Sequence, residues 1–323
     1  MKAIVFTEYG SPDVLRLEEV PKPVPEDNEV LIKIHSASVN AADLRILKAD
    51  PFLVRLKFGL SKPNIQILGS DIAGTVEAVG NKIIEFKPGD EVFGDIFACG
   101  LGGFAEYVCV REDALVLKPA KITFEQAAAV PLAAVTALQG LRDKGKIRPG
   151  LKVMIHGASG GVGSYAVQIA KSFGAEVTAV CSTRNLEMVR SIGADHTIDY
   201  TQEDFGKNGK QYDLILAVNG NRSIWDYRRA LAPGGIYVTT GGSMKQFTQG
   251  LFIGPWISMT GNKKMITGGA GPNKKDLTFI KEHLESSKVV PVIDKRYPLI
   301  AVPEALRYLE EGHAKGKVVI NII

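Results

Sequence analysis

Cysteine is scarce in this 323-residue chain: Cys99, Cys109 and Cys181 are the only three. An odd, low count argues against a disulfide framework and fits a reducing compartment. Their positions share no metal-type spacing. Long apolar runs are also missing. The longest, "AAAVPLAAVTAL", is too short for a membrane span and contains Pro131. Neither sign of charge dominates, with 39 Lys and Arg against 35 Asp and Glu, and a net charge of +4 is too small and dispersed for a nucleic-acid surface. The N-terminal "MKAIVF" reads as a strand, not a signal peptide. These absences set the expectation of a cytoplasmic protein with no membrane span and no nucleic-acid partner. The motif Tyr-x-x-x-Lys, one device for activating an alcohol, occurs nowhere.

What is present is ordinary globular composition, 45% hydrophobic and 23% charged, with 34 glycines that suit an α/β protein with many tight turns. The length favours two domains. In the first third, "KAIVF", "VLRLEEV", "EVLIKIHSASV", "LGSDIAGTVEAVG" and "GGFAEYVCV" read as strands separated by Pro, Gly and Asp clusters, a pattern for a small, partly open barrel. A short helix is expected at "AADLRILK", and one helix over "TFEQAAAVPLAAVTALQGLRDKG" with Thr123 as N-cap. From "KVMIHG" onward, near-continuous apolar strands alternate with amphipathic helices, the signature of a doubly wound parallel sheet buried on both faces. The closing strand "KVVINII" needs a sheet to join and is placed back in the first domain. The expected division is 1–120 with 266–323 for one domain and 121–265 for the other.

The turn "GASGGVG" follows a strand and opens a helix within this series, the context that makes a glycine pattern specific for a dinucleotide. Its structural positions fall on Ala158 for the tight turn, Gly160 for approach of a pyrophosphate and Gly163 for close helix packing. Ser159, Gly161 and Val162 belong to the same phosphate-binding turn, whose helix start offers free N–H groups. His156, just ahead of it, reads as structural. The next strand, "EVTAVCSTRN", lacks the acid that usually holds the ribose hydroxyls. Cys181 stands there, followed by Ser182, Thr183 and Arg184, which can donate to and neutralise a 2′-phosphate. That set points to NADPH over NADH. The plainer reading is that Ser182 and Thr183 cap the following helix while Arg184 faces water, and both readings can hold together. Tyr200, in "TIDY", either packs near the adenosine or is a plain strand-end tyrosine. Asn219, Gly241 and Gly242 complete the candidate cofactor set.

Barrel first, Rossmann insert second and strand return last resembles the medium-chain dehydrogenase/reductase superfamily. "GASGGVGSYAVQIAKSFGAEV", "GSDIAGTVEAVG" and "KPGDEVFG" are similar to its zinc-independent, zeta-crystallin-like quinone oxidoreductase branch. The resemblance implies a GroES-like partly open β-barrel catalytic domain and an inserted Rossmann domain. At the zinc-ligand positions of the superfamily's alcohol dehydrogenases stand Asn40, then Ser70-Asp71, then the neighbourhood of Leu132 and Ala133. None is a good zinc ligand, and the four-cysteine structural lobe is absent, so no metal is expected. The resemblance also implies that Asn40 and Thr136 line the nicotinamide end. Asp43 either orients Asn40 or caps the helix after "NAAD". Lys317, in "GHAKGKVVI", either approaches the cofactor or merely starts a strand.

Without zinc, alcohol–ketone interconversion is disfavoured, whereas a quinone or α,β-unsaturated ketone spreads the developing charge itself. The expected activity is therefore hydride transfer from NADPH to such a small electrophile. An enoyl-thioester reductase and a non-catalytic NADPH-binding protein are the alternatives. Relatives of this kind are homodimers, and the aromatic stretch within 247–259 is read as interface, pocket wall or core.

Overall fold

Six apolar segments of the middle region form one all-parallel sheet in the computed structural model. Their order is His196–Asp199, Glu176–Cys181, Lys152–His156, Tyr212–Ala217, Leu231–Thr239 and Lys264–Thr267. Numbered along the chain, that is 3-2-1-4-5-6, the doubly wound order whose switch point lies between the first and fourth strands. The structure describes every residue except Asn221, Gly242, Ser243 and Ile323, and the side chains of all these except 244–247 and Thr260. The chain separates into two compact units: Met1–Leu132 with Pro272–Glu285 and Pro291–Ile323, and Ala133–Gly271 with Ser286–Val290. The boundaries thus fall at 132/133 and 271/272 instead of the expected 120/121 and 265/266, and residues 286–290 join the Rossmann unit.

In the Rossmann unit both faces of the central strands are covered. Val153, Met154 and Ile155 are all fully buried, as are Leu214, Ile215 and Leu216. A near-continuous apolar run is the pattern that such double burial demands, each fully buried side chain contributing about 2 kcal/mol. Helix Gly161–Ser172 buries Tyr165, Ala166, Val167, Ile169 and Ala170 and ends at Phe173, with Gly174 in the left-handed region at φ 75°. Strand registers pair His156 with Val180, Cys181 with Asp199, and Ala217 with both His156 and Thr239. The carboxyl ends of five strands are therefore level, and the loops after them share one edge.

The other unit is a mixed sheet in the order Ile293–Pro298, Lys317–Asn321, Glu29–Val39, Asp71–Val79, Glu91–Asp95 and Leu115–Leu117, with Tyr107–Arg111 also pairing Glu29–Val39. The chain's last strand joins Glu29–Val39 antiparallel, with Val318 opposite Val39. Helix Ala41–Lys48 lies where its sequence places it. Thr123 caps its helix in a reciprocal box with Gln126. That helix ends at Ala128, however, and a second one starts at Pro131 and runs to Leu138. Proline lacks an N–H and clashes with the preceding turn, so it opens a helix here instead of continuing one. The stretch holding residues 247–259 is helix Met244–Thr260, on which Phe252, Trp256 and Met259 are 75%, 56% and 86% exposed.

Candidate functional site

The dinucleotide turn is built on the switch-point strand. Gly157 takes φ 83°, so the tight turn falls there and not at Ala158, whose side chain is buried. Gly157 and Ala158 both donate to the carbonyl of Val180, at 3.2 and 3.1 Å, which ties the turn to the neighbouring strand. A Cβ on Gly163 would sit 2.0 Å from the carbonyl oxygen of Gly157, so only glycine lets the helix approach this closely. A Cβ on Gly160 would meet nothing nearer than 3.7 Å. Space is open beside that residue, and the helix it begins has no side-chain cap. These are the conditions under which helix-start amides take a pyrophosphate, with Ser159, Gly161 and Val162 only partly buried around them.

Ser182, Thr183, Arg184, Tyr200 and Asn219 lie at the same edge. Tyr200 is 50% exposed and its N–H donates to Cys181. Asn219 is exposed beside Gly157. Gly241 lies so close to the carbonyl of Val218 that a Cβ would sit 2.5 Å from it. Gly242 lies outside the described residues. Arg184 is exposed and Cys181 is buried, its thiol pushed up to about 11 by burial, so no reactive thiolate stands at the missing-acid position.

Two features of this edge were not legible in the sequence. The first is an acid: Asp199, directly opposite Cys181 in the register, accepts from the hydroxyl of Thr183 at 2.5 Å. The bond from Thr183, and further bonds from Thr201, hold its carboxyl below the usual carboxylate range. In this structure the hydroxyl of Thr183 is thereby directed to Asp199. The second is Asn185, a buried amide whose Nδ2 lies 2.9 Å from Ser159 Oγ and 3.3 Å from Ser182 Oγ. Thr136, on helix Pro131–Leu138, is buried. His156 bonds Tyr227 at 2.7 Å, and burial, with a smaller effect of Arg222, lowers its pKa to about 4, consistent with a structural role.

In the other unit, register alone brings Asn40, Asp71 and Lys317 together. Ser38 faces Asp71 across one strand pair and Val39 faces Val318 across the next, so the residues flanking these positions meet. Lys317 Nζ contacts Asn40 Oδ1 at 2.5 Å and Asp71 Oδ2 at 3.1 Å, and its side chain is 3% exposed against 0% for Asp71. The amide of Asn40 donates to Asp71 Oδ2 at 2.9 Å and to Ser70 Oγ at 3.3 Å. Asp71 also accepts from Ser38 Oγ at 3.0 Å and from the N–H of Leu132 at 2.8 Å. Lys317 is thus more than a strand-start lysine, and the amide of Asn40 is directed into this network. Asp43 accepts from the N–H groups of Asn40 and Gly69 at 2.7 and 3.1 Å, a helix-capping and loop-anchoring role. Burial raises its pKa to about 7. Asp95, opposite Asp71 in the register, is likewise raised to about 7 by burial and by the charge of Asp71.

A zinc ion does not fit this donor set. Of the amide, hydroxyl and carboxylate that replace the usual ligands, the hydroxyl of Ser70 bonds Asn40 and the other two already hold an ammonium, whose charge would repel a second cation. Among the described residues no group of three or more His, Cys, Asp or Glu is arranged to hold a metal. Nor is any helix among them long and apolar enough to cross a membrane.

Residues 26–120 match the family described as the alcohol dehydrogenase GroES-like domain, and residues 192–320 that described as zinc-binding dehydrogenase. The chain is 38% identical over 336 residues to the 2-methylene-furan-3-one reductase of Solanum lycopersicum, covering 100% of this chain and 79% of that protein. It is 34% identical to the chloroplastic NADPH-dependent alkenal/one oxidoreductase of Arabidopsis thaliana, covering 99% and 79%. Its fold is similar to the structure of the quinone oxidoreductase from Coxiella burnetii, at 30% identity and a TM-score of 0.88, covering 100% of this chain and 99% of the other. The chain belongs to the medium-chain dehydrogenase/reductase superfamily, in its zinc-independent quinone oxidoreductase-like branch.

Proposed function

We propose that this protein is an NADPH-dependent reductase of quinones and α,β-unsaturated ketones that works without a metal. The observation that carries this reading is the Lys317 ammonium, held between Asn40 and Asp71 where a catalytic zinc would need its ligands. An alcohol dehydrogenase without the Tyr-x-x-x-Lys device holds its alkoxide on a Lewis acid. An ammonium already engaged by two buried oxygens does not supply one. A conjugated acceptor needs less help, because its charge delocalises into an enolate or a hydroquinone anion that solvent can protonate. The relatives' names, a furanone reductase, an alkenal/one oxidoreductase and a quinone oxidoreductase, agree with such acceptors.

The nicotinamide cofactor supplies the hydride. The glycine turn offers the amides of helix Gly161–Ser172 and the Ser159 hydroxyl to the pyrophosphate. Ser182 and Arg184 favour a 2′-phosphate, and NADPH is accordingly the proposed reductant. The carboxylate of Asp199 beside Thr183 works against that phosphate and limits the preference. A homodimer acting in the cytoplasm completes the proposal. The exposed Phe252, Trp256 and Met259 on the helix beside the edge strand Lys264–Thr267 support association, and three unpaired cysteines suit a reducing compartment. Rates of NADPH and NADH oxidation with 1,2- and 1,4-quinones, enones and 2-enoyl-CoA test the reading. Better turnover of the thioester than of any free quinone or enone would overturn the substrate class.

A further inference from the structure

Asn185 is 4% exposed and sits between the two segments that form the nucleotide edge. The backbone brings it there by a single turn of 3-10 helix, Thr183–Asn185, closed by the bond from the Asn185 N–H to the Ser182 carbonyl at 2.9 Å. Its Nδ2 carries two protons, and the two acceptors within reach are Ser159 Oγ in the glycine turn and Ser182 Oγ at the end of Glu176–Cys181. A hydroxyl that accepts from the amide keeps its own proton for another partner. One buried amide therefore sets the polarity of two serines at once, leaving both as donors. Its Oδ1 is buried and has no hydrogen-bond partner. An unpaired buried acceptor costs about 1–3 kcal/mol; among the five such side-chain atoms of the described residues, Oδ1 of Asn185 is the one whose amide also bonds the serine of the glycine turn.

We infer that Asn185 is a positioning residue of the dinucleotide site, aiming the hydroxyls of Ser159 and Ser182 at phosphate oxygens and offering Oδ1 to a ribose hydroxyl of the ADP-ribose moiety. The inference rests on the reading of this edge as the cofactor site. It extends that reading by replacing the missing acid with a neutral acceptor. A carboxylate at the end of the second strand would repel a 2′-phosphate, whereas an amide oxygen one turn further on accepts from a sugar hydroxyl without adding charge. The site thereby keeps a hydrogen bond to the ribose while admitting the phosphorylated cofactor.

The test is the isosteric substitution Asn185→Asp. An aspartate has no amide protons, so both serines turn their hydroxyls toward it and cease to donate outward, and its charge opposes phosphate. Dissociation constants of the full chain for NADPH, NADH, ADP-ribose and 2′-phospho-ADP-ribose are measured by titration, alongside apo unfolding temperatures. About 30-fold weaker binding of 2′-phospho-ADP-ribose is expected, from the loss of two hydrogen bonds and the added repulsion, and a smaller loss for ADP-ribose, whose ribose hydroxyl can still donate to the carboxylate. Ser182→Ala should weaken 2′-phospho-ADP-ribose in the native background but not further in Asn185→Asp, a coupling that a purely structural role would not give. Native-like affinity in Asn185→Asp overturns the inference. So does a lowered apo unfolding temperature with unchanged dissociation constants well below it. If the native protein prefers NADH, the NADPH proposal fails, while a loss of ADP-ribose binding in the variant still supports the role of Asn185.

Discussion

Replacing Lys317 by methionine keeps much of the side chain's length and removes its charge. Asp71 then keeps its hydrogen bonds from Ser38, Asn40 and Leu132 but loses the ammonium that pairs with it, in a site where it is fully buried. Removing one member of a buried ion pair costs about 3–5 kcal/mol, because the remaining charge stays desolvated. For a unit of this size that lowers the unfolding temperature by roughly 10 °C. Both tryptophans, Trp225 and Trp256, belong to the other unit, so their fluorescence would miss the event. Hydrogen exchange of Val39, Ile72 and Val318, read with circular dichroism in urea at pH 8, reports it directly. Asp71→Asn alone should also destabilise, since it strands the ammonium. The double variant Asp71→Asn/Lys317→Met should recover at least about 2 kcal/mol relative to the sum of the two, the coupling expected of residues in contact. Additive losses, or a Lys317→Met cost below about 1 kcal/mol, would refute the idea that the ammonium is the resident cation of this site.

Two further outcomes follow. Asp95 has a folded pKa of about 7 against an ordinary value of 3.8, so the native state binds more protons between these values. Its contribution to stability is therefore fully present below pH 3.8 and is lost as pH rises to about 7. Asp95→Asn keeps an oxygen for the N–H of Phe97 and should stabilise the protein at pH 8 by an amount on the order of 3 kcal/mol, with the difference vanishing near pH 4. Chemical denaturation at the two pH values checks it, and equal effects at both would contradict the assignment. At the nucleotide edge, Arg184→Ala should raise the dissociation constant for NADPH about tenfold with little change for NADH, and Asp199→Asn should shift the preference the opposite way. Equal effects on both cofactors would remove Arg184 from the phosphate site.

Local chemistry made much of this molecule legible in its sequence. The glycine turn, the helix at Ala41–Lys48 and the Thr123 cap depend on neighbours within a few residues, and spacing reports them well. The break at Pro131 was missed because alanine-rich composition outweighed a single ring that has no N–H. The Lys317–Asp71 pair joins residues 246 positions apart. It is a product of strand register, which no local pattern encodes. Asp199 escaped for the same reason. It lies on the strand beside the position where an acid was sought, and only the pairing with Cys181 reveals it. Asn185 left a fainter trace: a short amide side chain at the start of a helix reads as a cap, and its bond to Ser159 appears only when the two turns come together.

The central claim is metal-independent hydride transfer to a conjugated carbon, and isotope placement tests it most directly. Protein dialysed against a strong chelator is given NADPH deuterated at C4 and an acyclic enone, and the product is analysed by NMR. Deuterium is expected at the β-carbon of a saturated ketone, with a solvent proton at the α-carbon and no loss of rate from chelation. Deuterium on a carbinol carbon, or turnover that returns only when zinc is added, would contradict it.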